Sequence, residues 1–289
     1  MPTKREKDAA TGTEILDHEW DGIRELNTPL PKWWLYILYV CIIWSFGYYV
    51  FYPAWPGLTG YTRGVLGYAQ RGEVKADLEA QARRRAPALD RIAKADLAQI
   101  RSDPALLAVA MAGGRVAFAD NCAACHGAGG AGAKGFPVLA DDDWLWGGKL
   151  DAIHQTIAFG VRSAHDQTRQ SAMPAFGVDG ILEAAQISDV AEFVLSLTNR
   201  SRDRAKAERG KALFADNCAL CHGDGGGGNQ ELGAPRLNDG IWLYGGEREA
   251  IVQTITQART GMMPAWSTRL DAATVKMLTV YVHALGGGQ

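Results

Sequence analysis

An internal repeat constrains the fold of this chain more than any other feature of its sequence. Residues Gly113–Gly127 (GGRVAFADNCAACHG) match residues Arg209–Gly223 (RGKALFADNCALCHG). In both copies the same parts follow: a Gly-rich stretch, a Trp-containing segment, a helical run, a Met-Pro-Ala-aromatic element and an amphipathic run. Because chance would not reproduce this order of parts, the repeat predicts two homologous domains in tandem.

The parts of the two copies correspond one to one, and the abundant glycine near the cysteines favours small, loop-rich domains. A charged stretch, Asn199–Glu208, is the predicted linker. The matched parts, first copy before second, are the Trp-containing segments Asp142–Gly148 and Gly240–Gly246, the helical runs Lys149–Val161 and Glu247–Arg259, the elements Met173–Phe176 and Met263–Trp266, and the amphipathic runs Ile181–Thr198 and Asp271–Leu285.

Each copy contains a CxxCH motif, the attachment signature of c-type haem. Two thiols separated by two residues reach the vinyl groups on one porphyrin edge, and the adjacent His then lies beneath the iron. The alternatives to haem attachment are a zinc site and a redox disulfide. Zinc sites of this kind usually pair CxxC with a second CxxC or with spaced His residues. We therefore predict two covalently bound haem c groups. Their predicted residues are Cys122, Cys125 and His126, and Cys218, Cys221 and His222.

The sixth iron ligand is predicted to be Met173 in the first copy and Met263 in the second, since each precedes a Pro in the repeated element. Thioether ligation favours reduced iron, and a filled sixth position blocks oxygen, which indicates electron transfer rather than catalysis. The repeat alignment selects Met263 over Met262, and His165 is the main rival of Met173. Whether each Met serves its own copy or the other copy is left open.

The remaining histidines and the fifth cysteine have no predicted function. His154 and His283 lie on helical runs and His18 lies before the apolar segment, so packing or surface positions are expected. Cys41 stands alone in the apolar segment and is expected to be a small buried hydrophobic residue.

No charged residue lies between Lys32 and Arg63. The core of this segment, Trp33–Trp55, is long enough to cross a bilayer as a helix. Aromatic residues at both ends suit the headgroup region, and Pro53 and Pro56 are expected to end the helix. The alternatives are a buried core helix or a cleaved signal peptide. An uncleaved anchor is favoured because about 30 mostly polar residues precede the segment, which lacks a small-residue cleavage site.

Basic residues before the span mildly favour a cytoplasmic N-terminus. They are Lys4, Arg5, Lys7, Arg24 and Lys32. Covalent haem is attached on the outer face of bacterial membranes, so the haem domains are expected in the periplasm.

The stretch Tyr61–Met111 between the span and the first motif is charged and Ala-rich. We expect it to be partly helical, with interruptions at Pro87 and Pro104. A stalk, a surface that packs on another subunit and a mobile spacer are all compatible with its sequence.

The sequence thus predicts a mainly α fold, with a single N-terminal transmembrane helix followed by two tandem class I cytochrome c domains. The net charge of −2 gives no sign of nucleic-acid binding. The predicted boundaries are 1–32 for a cytoplasmic segment, 33–55 for the anchor helix, 56–111 for a periplasmic stalk or docking segment, and 112–199 and 200–289 for the two cytochrome c domains.

The whole layout resembles the di-haem subunit of cbb3-type cytochrome c oxidases, called CcoP or FixP. Residues Gly22–Trp34 (GIRELNTPLPKWW) look like the start of that family's anchor helix, and Tyr52–Tyr68 (YPAWPGLTGYTRGVLGY) look like its end. The resemblance implies a bacterial inner-membrane subunit that takes electrons from a donor cytochrome c. It would pass them to a mono-haem cytochrome subunit and then to the catalytic haem–copper subunit of a proton-pumping oxidase. By the same resemblance, the eight haem residues named above carry the electron relay.

The chain itself is not expected to be catalytic, because one span and six His leave no haem–copper ligand set. Two other functions are weighed against the oxidase subunit. One is a free-standing, membrane-anchored di-haem cytochrome c that serves several reductases. The other is a di-haem peroxidase, which requires an open iron coordination site.

Overall fold

Helices account for most of the regular structure in a computed structural model of the chain, which describes residues 6–289. The mainly α prediction is therefore confirmed. The chain divides into two compact units, one up to Arg83 and one from Arg84 onward. Of the basic residues counted for orientation, Lys4 and Arg5 lie outside the described residues.

The N-terminal unit begins with a β-hairpin that the sequence analysis did not predict. Strands β1 (Ile15–Trp20) and β2 (Ile23–Leu26) pair antiparallel. The two residues between them, Asp21 and Gly22, both have positive φ, at 47° and 85°. This is the backbone that a tight two-residue hairpin requires, and Asp-Gly is its usual signal.

Helix α1 (Lys32–Phe51) is the predicted span, and none of its residues is buried. Its mean hydropathy of 1.6 and its length of 20 residues suffice to cross a membrane. The buried-helix alternative is therefore wrong, and so is the expectation of a buried Cys41, which is exposed. The helix ends before the predicted residue 55, because Pro53 restricts Tyr52 to extended backbone.

The stretch before the first motif forms two helices and opens a third. Helix α2 (Gln70–Lys94) contains Pro87, so the predicted interruption there is wrong. A proline removes one backbone donor and kinks a helix without necessarily ending it. Helix α3 (Leu97–Ser102) follows, and α4 (Pro104–Asn121) starts at Pro104, where a missing N–H costs nothing.

The two repeats form the predicted helices with slightly shorter bounds. After α4, the first repeat contains α5 (Ala123–His126), α6 (Leu150–Phe159) and α7 (Ala184–Ser196). The second contains α8 (Arg204–Asn217), α9 (Ala219–His222), α10 (Arg248–Gln257) and α11 (Ala272–His283). Helix α8 begins within the predicted linker, where the Asp203 carboxylate accepts a hydrogen bond from the Lys206 backbone N–H.

The closing helix of each repeat packs against the first helix of the other repeat. Helix α11 lies on α4, where Tyr281 and Phe118 have ring centroids 5.5 Å apart. Helix α7 lies on α8, where Phe193 and Phe214 are 5.0 Å apart. Gly114 lets α4 approach α11 closely, since a Cβ there would collide with α11. The two repeats are thus intertwined through their closing helices.

Three hydrophobic clusters follow from this exchange. The Cys122 cluster is built from Phe118, Ile153, Ile157, Ala158, Val275, Leu278 and Val282, with Cys122 packed against it. The Cys218 cluster contains Phe176, Leu182, Ile187, Val190, Ala191, Phe193, Val194, Leu195, Phe214, Cys218, Ile251 and Ile255. Each cluster draws residues from both repeats, so the predicted boundary between residues 199 and 200 divides the sequence repeats but not the clusters.

The third cluster, the stalk cluster, joins the end of the predicted stalk to α11. It contains Ile92, Leu97, Ile100, Leu106, Ala110, Ala273, Met277 and Val280. The Lys276 Nζ donates to the carbonyls of Ala93 and Ala95, both at 2.7 Å, and so caps the end of α2. The mobile-spacer alternative is therefore wrong for this part of the stalk.

Candidate haem sites

Both CxxCH motifs lie on a single helical turn directly after a longer helix. The backbone N–H of Cys122 donates to Phe118 O, and that of Cys218 donates to Phe214 O, both at 2.8 Å. The short helices α5 and α9 then hold two thiols and one imidazole on the same turn. All four motif thiols are free, so the redox-disulfide alternative finds no support in the fold.

The two motif histidines have the same hydrogen bond at Nδ1. His126 Nδ1 donates to the Pro137 carbonyl at 3.1 Å, and His222 Nδ1 donates to the Pro235 carbonyl at 2.9 Å. Burial lowers the pKa of both imidazoles, against the opposing effect of these bonds. Each ring is therefore neutral near pH 7, with its Nε2 lone pair free to ligate a metal.

The first thiol of each motif is at least partly buried, and the described chain gives the motif thiols no further ligands for a zinc site. Burial, followed by the neighbouring motif thiol, raises the pKa of Cys122 and of Cys218 to about 11. Between residues 6 and 289, no group of three or more His, Cys, Asp or Glu side chains is placed to hold a metal ion. The zinc alternative thus lacks a ligand set.

The structure packs each predicted methionine against the cluster at the motif of the other repeat. Met263 packs with Cys122 against the Cys122 cluster, and Met173 packs against the Cys218 cluster. Both side chains are half-buried, whereas Met262 is 69% exposed. His165 packs beside Phe159 of α6, with ring centroids 4.8 Å apart, and its Nδ1 accepts from the Gln167 backbone N–H at 3.0 Å. The exchanged pairing was one of the two possibilities that the sequence left open.

The chain after each methionine is held by the other repeat. The backbone N–H groups of Trp266 and Ser267 donate to the carbonyls of Ile157 and Ala158 on α6, at 3.1 and 3.0 Å. In the second site, Phe176 N–H donates to a carbonyl of α10 at 3.1 Å. Backbone pairing therefore extends the exchange from the closing helices to the methionine loops.

An arginine four residues before each methionine ties the loop to its own repeat. Arg169 Nε donates to Thr156 Oγ1 at 2.9 Å, and Arg259 Nε donates to Thr254 Oγ1 at 3.0 Å. Each guanidinium also lies over an aromatic ring, Trp146 in the first repeat and Tyr244 in the second. These arginines are not among the predicted site residues, although the Arg-x-x-x-Met spacing occurs in both copies.

One buried donor near the second site lacks a partner in the described part of the chain. The indole Nε1 of Trp242 is buried and makes no hydrogen bond, whereas the equivalent Trp144 Nε1 donates to Gly287 O at 2.8 Å. A buried N–H without an acceptor is costly, and a carboxylate of a bound porphyrin would satisfy it. Together with the free thiols and the open Nε2 atoms, this donor fits a haem group.

Three family models match successive parts of the chain. The N-terminal domain of cytochrome oxidase-cbb3, FixP, matches residues 12–59. Cytochrome c matches residues 110–198, and cytochrome C oxidase, cbb3-type, subunit III, matches residues 205–282. Cytochrome c domains indicate covalently bound haem c.

Several curated relatives are similar over their whole length. The cbb3-type cytochrome c oxidase subunit CcoP of Azospirillum brasilense is 55% identical, with 99% of each chain covered. The subunit FixP of Azorhizobium caulinodans is 56% identical over 98% of this chain and 96% of the relative. That of Bradyrhizobium diazoefficiens is 52% identical with both chains fully covered.

Proposed function

This chain belongs to the CcoP/FixP family of cbb3-type cytochrome c oxidase subunits, and we propose that it relays electrons into such an oxidase through two covalently bound haems. The electrons would come from a donor cytochrome c. They would pass to a mono-haem cytochrome subunit and then to the catalytic haem–copper subunit, where oxygen is reduced. The observation that carries the proposal is the repeated site, a CxxCH turn with a free His Nε2 and a methionine packed against the cluster at that turn.

Residues of this chain would hold each haem at three points. Two thiols of a motif would form thioethers, and the His Nε2 would ligate the iron. The Pro carbonyl at Nδ1 orients the ring and strengthens the donor atom. When bound, haem supplies an iron that cycles between the ferrous and ferric states.

We assign the sixth ligands across the repeats. Met263 would complete the site of Cys122, Cys125 and His126, and Met173 would complete the site of Cys218, Cys221 and His222. The packing of each methionine against the other repeat's cluster supports this assignment. A thioether in this position raises the potential and excludes oxygen, which suits a relay rather than a peroxidase.

We further propose that α1 anchors the chain in the inner membrane with its N-terminus in the cytoplasm and both haem sites in the periplasm. The length and exposure of α1 support the anchor. The need for haem attachment outside the cytoplasm supports the orientation. The orientation is tested by placing a Cys in the β1–β2 turn and labelling it with a membrane-impermeant thiol reagent, in intact cells and after the cells are opened. Labelling from the outside contradicts the orientation.

A single-haem background tests the exchanged ligands. Replacing Cys122 and Cys125 by Ala leaves haem at the second motif alone, and Met173→Ala should then lower its midpoint potential by at least about 100 mV, since axial ligands tune haem potentials over about 0.8 V. Met263→Ala is the matched control and should leave that potential unchanged. The reverse result would establish ligation within each repeat, and no change in either variant would reject both methionines as ligands.

The oxidase assignment has its own test. A purified membrane complex that contains this chain should consume oxygen when supplied with reduced cytochrome c. Isolation of the chain alone, without haem b, would instead support the free-standing cytochrome.

A further inference from the structure

The first repeat has a segment between its second helix and its methionine loop that the second repeat lacks. Eight more residues separate Thr156 from Arg169 than separate Thr254 from Arg259, although the two pairs make equivalent hydrogen bonds. We call residues 161–168 the inserted segment. No sequence motif marked it, and electron transfer as proposed above assigns it no role.

The inserted segment begins between the two methionine loops. Val161 and Met263 exchange both backbone hydrogen bonds, each at 3.0 Å. On its other side, Arg162 N–H donates to Arg169 O at 2.9 Å, and Arg169 N–H donates to Gly160 O at 3.2 Å. Residues 160–162 thus form isolated backbone bridges with one methionine loop on each side.

The side chain of Arg162 contacts both loops at once. Its Nε donates to Gly261 O at 2.7 Å, and its Nη1 donates to Ser171 O at 2.6 Å. Each acceptor lies two residues before a methionine, Met263 in one loop and Met173 in the other. Hydrogen bonds from a charged, half-buried guanidinium are among the stronger ones in proteins.

The backbone of Arg162 is adapted to this position at a conformational cost. Its φ of 51° lies in the left-handed region, which residues with a Cβ rarely adopt. Such strain persists where surrounding contacts hold it, and here the backbone pairs on both sides and the two side-chain bonds do so. The second repeat passes directly from its helix to Arg259 and has no equivalent of Arg162.

We propose that Arg162 is a positioning residue that holds both methionine loops in their exchanged arrangement and so couples the sixth-ligand sites of the two haems. The inference rests on the proposed methionine ligation. It adds that the two sites share one structural element, whereas Arg169 and Arg259 each act on a single loop.

The experiment uses the full chain with both haems attached, purified in detergent without the catalytic subunit, whose own haem would bind carbon monoxide. Electron paramagnetic resonance of the oxidised protein separates the two low-spin haems, and Met173→Ala and Met263→Ala assign the signals. Arg162→Ala removes both side-chain bonds. It should increase the fraction of open sixth positions, measured as carbon monoxide binding to the reduced protein, by roughly tenfold at both haems.

Two matched arginine variants distinguish an effect on both haems from an effect on one. Arg169→Ala should change only the haem that Met173 faces, and Arg259→Ala only the haem that Met263 faces. Arg162→Lys keeps the charge but lacks the planar fork, so it should produce a smaller change at both haems. It replaces Arg162→Ala if that variant fails to retain both haems.

The outcomes separate the coupling from the ligation. A change at only one haem, or at neither, in an Arg162 variant with two haems per chain would overturn the coupling. If Met173→Ala and Met263→Ala themselves leave both signals unchanged, the ligand assignment fails as well. Changes in those two variants combined with a silent Arg162 variant would reject the coupling alone.

Discussion

The Cys122 and Cys218 clusters have the same sequence pattern and the same exchanged helix pairing, yet they are closed in different ways. Ion pairs with carboxylates of α7 hold that helix in the Cys218 cluster, whereas apolar contacts and hydrogen bonds to backbone carbonyls hold α11 in the Cys122 cluster. The comparison teaches that a repeated motif specifies a local site, while its stability depends on residues that the repeat does not share.

The charged closure of the Cys218 cluster centres on Glu192, which is 3% exposed. Its carboxylate accepts from Arg248 Nε at 3.0 Å, from Ser201 Oγ at 2.8 Å and from the Arg202 N–H at 3.1 Å. Burial raises the pKa of Glu192, but these hydrogen bonds outweigh it, and the pKa lies below its usual value. A second ion pair, between Arg209 and α7, reinforces the closure.

Helix α11, which closes the Cys122 cluster, has an apolar residue at the position equivalent to Glu192 of α7. Val280 precedes Tyr281 on α11 as Glu192 precedes Phe193 on α7, and Val280 is buried in the stalk cluster. The end of the chain adds hydrogen bonds, since Gln289 N–H donates to the Gly148 carbonyl at 3.0 Å. This closure contains no carboxylate equivalent to Glu192, so it should be less sensitive to acid.

The largest expected effect comes from Gly160→Ala. Gly160 ends α6 at a φ of 74°, and a Cβ there would collide with the Met263 carbonyl, which belongs to the backbone and cannot easily move. The variant should lose about 2 to 3 kcal/mol of unfolding free energy, measured by chemical denaturation. It should also weaken the Met263 ligation.

The equivalent position of the second repeat already carries an Ala. Ala258 ends α10 at a φ of 51°, so Ala258→Gly is the matched control and should change stability by less than about 1 kcal/mol. Equal losses of unfolding free energy in the two variants would contradict the proposed difference between the two repeats at the end of this helix.

Glu192→Gln should have an intermediate effect confined to the Cys218 cluster. It leaves Arg248 without its charged partner and should cost about 2 kcal/mol at neutral pH. Because the folded pKa of Glu192 is lowered, its contribution is fully present above its unfolded value of 4.5 and is lost as pH falls through the folded value. The variant should therefore show a flatter acid dependence of stability than the natural chain.

Hydrogen exchange locates this effect. Amides of α7 should lose protection at acidic pH before amides of α11, and Glu192→Gln should remove much of that difference. The exposed Glu208 on α8 provides the control, since Glu208→Gln should leave the acid dependence unchanged. Simultaneous loss of protection in both helices of the natural chain would refute the two kinds of closure.

The smallest effect is expected from Trp144→Phe. The substitution removes the 2.8 Å hydrogen bond to Gly287 and should cost about 1 kcal/mol, measured by thermal unfolding. Trp242→Phe removes no hydrogen bond to the described chain. In the protein without haem, Trp242→Phe should therefore lower the unfolding free energy less than Trp144→Phe does. The opposite order would show that the hydrogen bond from Trp144 to Gly287 does not stabilise the fold.

Local sequence signals predicted much of the fold. The CxxCH turns, the helical runs and the 20-residue span depend on residues close in sequence, and the structure contains all of them. The failures were also local. The interruption predicted at Pro87 is absent, because α2 runs through this residue. The hairpin turn at Asp21-Gly22 is missing from the predicted layout.

The two equivalent motifs, the two candidate methionines and the apolar span are all evident from the sequence, because each depends on a short run of residues. The cluster against which each methionine packs follows from the tertiary structure alone. Either pairing satisfies the same repeat pattern, so the choice depends on contacts between residues far apart in the chain. These contacts are α11 on α4, α7 on α8, and the Arg162 bonds to both loops, and with them Met263 packs against the Cys122 cluster and Met173 against the Cys218 cluster.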